Sequence, residues 1–217
     1  VCNDSAISET RSFTVFDLTA IPGLAVWLDA NIGLDTSGNV VSQWFDQSAN
    51  GKDAYQIDSI QRPVFTDSIA LLNNKGVIRF DGADDFMNLD TIEVGSAFIL
   101  SNWGGADSVF PDYAGLLARG SNQSPHYIFL GQTGQSTIYS SASSLFSTDL
   151  MVNGSSTDDY SPLEAYKILY GFTNSSEVFN DLRIGSDYVN RMWTGDIAEI
   201  IVYDTALTVS ERIQVEE

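Results

Sequence analysis

Cysteine, histidine and basic residues are scarce in this 217-residue chain, which carries one Cys, one His and ten Lys plus Arg against 29 Asp plus Glu. The lone Cys2 cannot close an internal disulfide. With His126 as the only imidazole, the chain offers neither a Cys/His dyad nor a zinc ligand cluster. A formal charge of −19 with scattered cations makes a phosphate backbone or an anionic lipid surface a poor partner. No apolar run approaches the roughly 20 residues that span a bilayer, so no membrane insertion is expected. No glycine-rich nucleotide loop is present either, so no organic cofactor is expected.

Helical periodicity is the other near-absence. Apolar residues instead come in short bursts, at 24–28, 40–45, 76–80, 97–100, 115–118, 126–130, 137–139, 149–152, 166–172, 182–185 and 196–203, separated by Ser-, Gly- and Asn-rich turns. About a dozen short strands predict an all-β jelly-roll sandwich of two curved antiparallel sheets. The 43% hydrophobic content is enough to fill its core. One helix is expected, at the C-terminus, where Thr208 and Glu211 have the spacing of a capping box. Residues 1–20 read as an N-terminal extension or linker and 21–217 as one domain, with no internal repeat or second composition block.

Four stretches carry a family resemblance: Leu24-Ala25-Val26-Trp27-Leu28-Asp29-Ala30; Val41-Ser42-Gln43-Trp44-Phe45-Asp46-Gln47-Ser48-Ala49-Asn50-Gly51-Lys52-Asp53-Ala54; Val77-Ile78-Arg79-Phe80-Asp81-Gly82-Ala83-Asp84-Asp85-Phe86-Met87; and Gly195-Asp196-Ile197-Ala198-Glu199-Ile200-Ile201-Val202-Tyr203-Asp204-Thr205-Ala206-Leu207-Thr208. Together they resemble a laminin-G-like domain of the concanavalin A-like lectin/glucanase superfamily, with a divergent middle from about 102 to 180. The resemblance implies a secreted or cell-surface module, often attached to a polysaccharide-degrading enzyme or an adhesin. It also implies glycans on a concave sheet or its rim loops and, in many members, a structural Ca²⁺.

Catalytic chemistry finds little support. Retaining glucanases of this superfamily carry a Glu-x-Asp-x-(x)-Glu strand, which is missing here. The closest approach is Asp196 and Glu199, whose odd spacing predicts opposite faces of a strand. Carbohydrate binding needs less: aromatic faces for sugar C–H groups and planar polar groups for hydroxyls. Trp103, Tyr113, Arg119, His126 and Tyr127, with Tyr188, Arg191 and Trp193 from a second cluster, form the candidate rim. The competing reading has Trp103 and Trp193 plugging the sandwich ends. Trp27 and Trp44 read as core, and Arg79 as a covered or paired strand-face cation.

Asp81, Asp84 and Asp85 surround a glycine turn, a spacing that suits a Ca²⁺ site or a hairpin turn whose carboxylates bond backbone N–H groups. The expectation is a non-catalytic polysaccharide-binding module of a larger multidomain protein, extracellular and, given abundant Asp and scarce Cys, bacterial. A protein-binding adhesion module is the alternative, followed by a polysaccharide hydrolase or lyase.

Overall fold

The computed structural model describes residues 17–139, 144–146 and 149–216. Cys2 and most of the expected extension lie outside them. Fifteen strands follow one another: β1 (Leu24–Asp29), β2 (Leu34–Ser37), β3 (Val40–Trp44), β4 (Ala54–Tyr55), β5 (Val64–Ile69), β6 (Lys75–Asp81), β7 (Met87–Leu89), β8 (Ile92–Ser101), β9 (Ala114–Arg119), β10 (Tyr127–Gly131), β11 (Leu150–Val152), β12 (Ser155–Ser156), β13 (Lys167–Phe179), β14 (Leu182–Ile184) and β15 (Thr194–Tyr203). One helix, α1 (Val209–Glu216), ends the described chain.

The strands form one antiparallel path, β10-β9-β14-β7-β4-β3-β5-β6-β15-β8-β13-β11-β12, with β1 beside β15 and β2 beside β3. At the β3/β5 join only Val40 and Val64 pair. That single link divides the path into two arms: sheet I (β1, β5, β6, β8, β11, β12, β13, β15) and sheet II (β2, β3, β4, β7, β9, β10, β14). Their inner faces meet in one core. Ile78, Ile99, Leu169, Ile197 and Ile200 come from sheet I; Trp44, Met87, Leu116, Phe129 and Ile184 come from sheet II. Alternation along each strand produces this split, because every second side chain turns inward. The result is the all-β sandwich with a short C-terminal helix that the apolar bursts predict.

The bursts coincide with strands except at 137–139, where Thr137 and Ile138 make isolated bridges only. Strands β2, β4, β5, β7 and β12 carry too few consecutive apolar residues to announce themselves. The capping box forms as expected. The Thr208 backbone N–H donates to Glu211 Oε2 at 2.8 Å and the Glu211 N–H to Thr208 Oγ1 at 3.3 Å. Helix α1 and the 3-10 turn Leu18–Ala20 lie on the outer face of sheet I, where Leu18 and Val215 join a second apolar cluster with Phe98, Tyr170, Ile201 and Tyr203. Among the described residues, Leu18 is the first to join this packing.

Candidate functional site

On strands β7 and β14 of sheet II the residues flanking the outward position are core. Met87 and Leu89 flank Asn88, and Leu182 and Ile184 flank Arg183. Register then aligns the outward side chains in one file across the strands. Gln43 is opposite Tyr55, Tyr55 opposite Asn88, Asn88 opposite Arg183, Arg183 opposite Ala118 and Ala118 opposite Tyr127. Directly paired residues share a face. A hollow of about 230 Å³ lies on this file, bordered by Tyr55, Asn88, Asp90, Asp181 and Arg183 among others.

At the β10 end an aromatic layer covers the file. Tyr113, Tyr139 and Tyr188, all half-buried, pack on Tyr127, Ala118 and Leu130. Tyr113 meets Tyr139 edge-on at 5.7 Å between centroids, and His126 lies 5.2 Å from Tyr188 and 5.5 Å from Tyr127. Arg191 holds the layer together. Its Nη2 donates to Tyr127 Oη at 2.5 Å, its guanidinium carbon lies 4.8 Å from the Tyr113 ring centroid, and its Nε donates to Asp187 Oδ2 at 2.7 Å. Asp187 is fully buried and also accepts the Val189 and Arg191 N–H groups, so it fixes the whole loop. Burial pushes the Tyr127 hydroxyl above its ordinary pKa against the pull of Arg191, so it stays protonated at neutral pH.

Five of the eight expected rim residues, Tyr113, His126, Tyr127, Tyr188 and Arg191, thus come together, and three do not. Trp193 and Trp103 are core, 0% and 4% exposed, packed edge-on at 5.2 Å beside Phe110 and Tyr160. They fill the sandwich end as its plug. Arg119 is 2% exposed for a reason of parity: it pairs with Leu182, which faces the core. Its guanidinium therefore turns inward over Phe179, between Glu177 and Asp181. The file itself (Gln43, Tyr55, Asn88, Arg183) and Tyr139 were missed. The available signal was a planar polar residue between apolar ones in strands β7 and β14.

Sheet I offers larger concavities, about 570 Å³ beside Arg79, Asp85 and Asp196 and about 330 Å³ beside Asp29, Lys75 and Glu199. The expectation that Asp196 and Glu199 face opposite ways is overturned by a β-bulge. Register steps from Ile197 opposite Ser101 to Glu199 opposite Leu100, which leaves Ala198 as the extra residue. Ile197 and Ile200 both enter the core, so both acids face outward. Each already has partners. Asp196 accepts from Arg79 Nε and Nη2 at 2.7 and 2.9 Å and from Tyr166 Oη at 2.5 Å; Glu199 accepts from Trp27 Nε1 at 2.8 Å. Burial raises the Glu199 pKa, partly offset by the Trp27 bond. Against expectation, Trp27 lies outside the core, half-buried on this outer face, because Val26 and Leu28 on either side of it turn inward, whereas Trp44 is core as expected.

Ligand oxygens of Asp81, Asp84 and Asp85 lie within 4.8 Å of one another. Asp81 Oδ1 accepts the Ala83 N–H and Asp85 Oδ2 the Asp81 N–H, as a carboxylate-capped turn requires. Burial, followed by the neighbouring Asp81 and Asp84 charges, pushes Asp85 up to about 6. Oxygen donors at this spacing suit a hard cation.

Comparisons with protein-family models, curated proteins and solved structures give no match. Among the described residues no helix is long and apolar enough to cross a membrane.

Proposed function

We propose that the chain is a non-catalytic, laminin-G-like carbohydrate-binding module of a larger secreted or cell-surface bacterial protein, with a polysaccharide as its ligand. The observation that supports this is the convergence of Tyr113, His126, Tyr139, Tyr188 and Arg191 in one layer on the outer face of sheet II. Half-exposed rings accept sugar C–H faces, and the guanidinium and nearby hydroxyls offer bonds to sugar oxygens. A structural Ca²⁺ at Asp81, Asp84 and Asp85 belongs to the same reading and predicts a higher melting temperature in Ca²⁺ than in EDTA.

The test is a polysaccharide array that includes cellulose, xylan, mannan, laminarin and galactan beside pectate and carrageenan. The wild-type chain is expected to bind at least one polymer and Tyr113→Ala to weaken that binding about 5- to 30-fold. Retention on none would remove the carbohydrate reading. Protein adhesion is the second reading, favoured by Ile57 and Ile60, which stand 82% and 75% exposed on one loop. Binding to no glycan would bring it forward.

A further inference from the structure

We infer that the carbohydrate bound on sheet II is an uncharged, extended chain of at least four sugar units lying across the strands, gripped along its length rather than by one terminal sugar. The inference rests on the carbohydrate reading and adds length, direction and charge to it. Direction comes from register. Gln43, Tyr55, Asn88 and Arg183 stand on consecutive neighbouring strands, so planar groups repeat across the sheet at one per strand. From Tyr55 to the aromatic layer that packs over buried Tyr127 there are four strand spacings, or about 19 Å, a length that accommodates about four sugar units at one per strand.

The relief of the face agrees with a chain lying flat. Ala118 is fully buried against the aromatic layer that packs on it, so the face presents Arg183 and then that layer to a ligand. The hollow between Tyr55 and Arg183 receives the next part of the chain. A single sugar seated against Tyr113 and Tyr188 would leave that hollow and the Tyr55 ring without a role.

Charge follows from the partners of each cation. Arg191 is paired with buried Asp187, and Arg119 is buried between Glu177 and Asp181. Arg183 donates to the Asp187 carbonyl and Asn190 Oδ1, stacks on Phe86 at 4.6 Å, and shares its hollow with Asp90 and Asp181. An anionic polymer would meet the Asp90 and Asp181 carboxylates at the hollow. Hydroxyls, which both donate and accept, match the Asn88 amide, the Arg183 guanidinium and the flanking acids together.

The experiment is calorimetric titration with size-fractionated oligomers, of two to six units, of whichever of cellulose, xylan, mannan, laminarin or galactan binds on the array. Affinity is expected to rise at least tenfold between dimer and tetramer. Tyr55→Ala should weaken the hexamer at least fivefold while leaving the dimer unchanged. Arg183→Gln is the second variant, checked for folding by its melting curve, and should behave the same way. A dimer that binds as tightly as the hexamer, or a hexamer indifferent to both substitutions, would overturn the extended-chain assignment while leaving carbohydrate binding intact. Stronger retention on pectate or carrageenan than on any neutral polymer would overturn the uncharged assignment. Retention on none removes the carbohydrate reading itself, and this inference with it.

Discussion

The outer faces of the two sheets use the same kinds of residue to opposite ends. On sheet I the polar groups satisfy one another: Arg79 and Tyr166 close on Asp196, Trp27 closes on Glu199, and α1 and the Leu18 turn cover the apolar remainder. On sheet II the polar groups run in a file of planar side chains whose flat faces remain half-exposed, ending in an aromatic layer braced from beneath by Asp187 and Arg191. The larger concavities thus lie on the face where Arg79 is paired with Asp196 and Glu199 is bonded by Trp27. The face with the smaller hollow keeps half-exposed Tyr rings for a ligand even though Gln43 bonds Asp53 and Arg183 bonds Asp187 and Asn190, so residue chemistry rather than volume separates the two.

Substitutions can break this contrast, beginning with those that test which groups hold the fold. Trp193→Ala removes a fully buried ring and should cost about 3–5 kcal/mol, read as a lowered midpoint in urea unfolding. A wild-type midpoint would return Trp193 to the ligand face. Asp187→Ala leaves Arg191 without its carboxylate in a partly buried site and should cost about 3 kcal/mol. Glycan affinity should fall with it, because the layer above loses its brace. Tyr113→Ala should do the reverse, losing about 1–2 kcal/mol of affinity for a retained polysaccharide while shifting stability by under about 1 kcal/mol. Equal losses in both would make Tyr113 structural.

The smallest expected effect concerns the acid turn at the edge of the sheet I groove. Asp85 is raised in the folded state, to about 6 from 3.8, so the folded chain binds the extra proton between those values. Its charge therefore destabilises the fold above pH 6, and this penalty disappears as pH falls below about 4. Asp85→Asn, which keeps an oxygen for the Asp81 N–H, should raise stability by about 1 kcal/mol at pH 7 and by nothing at pH 4 in EDTA. A gain that persisted at pH 4 would assign the effect to packing. Added Ca²⁺ should narrow the pH 7 difference if the three carboxylates hold the ion.

Strand positions were legible where apolar residues clustered, 137–139 excepted, and the C-terminal helix was legible in two residues, Thr208 and Glu211. The aromatic layer was legible in part, since Tyr113, His126, Tyr127, Tyr188 and Arg191 do assemble. What composition could not reveal was parity. Trp103 and Trp193 sit among polar neighbours yet point inward, and Arg119 lands on the core side because its strand places it opposite Leu182. A single bulge at Ala198 reverses the expected facing of Glu199 relative to Asp196, while Trp27 faces outward by alternation between core residues Val26 and Leu28 and so meets Glu199. The file on sheet II depends on register between strands far apart in sequence, such as β4 with β7 and β14 with β9, which no local pattern encodes.

The most direct test of the contrast is backbone amide chemical-shift mapping of the isotopically labelled chain, titrated with oligomers of the neutral polysaccharide it retains. Shifts centred on Tyr113, Tyr188, Arg191, Arg183 and Asn88, with Arg79, Asp196 and Glu199 undisturbed, are the predicted result. Shifts centred on Arg79, Asp196 and Glu199 would contradict the account and move the binding face to sheet I.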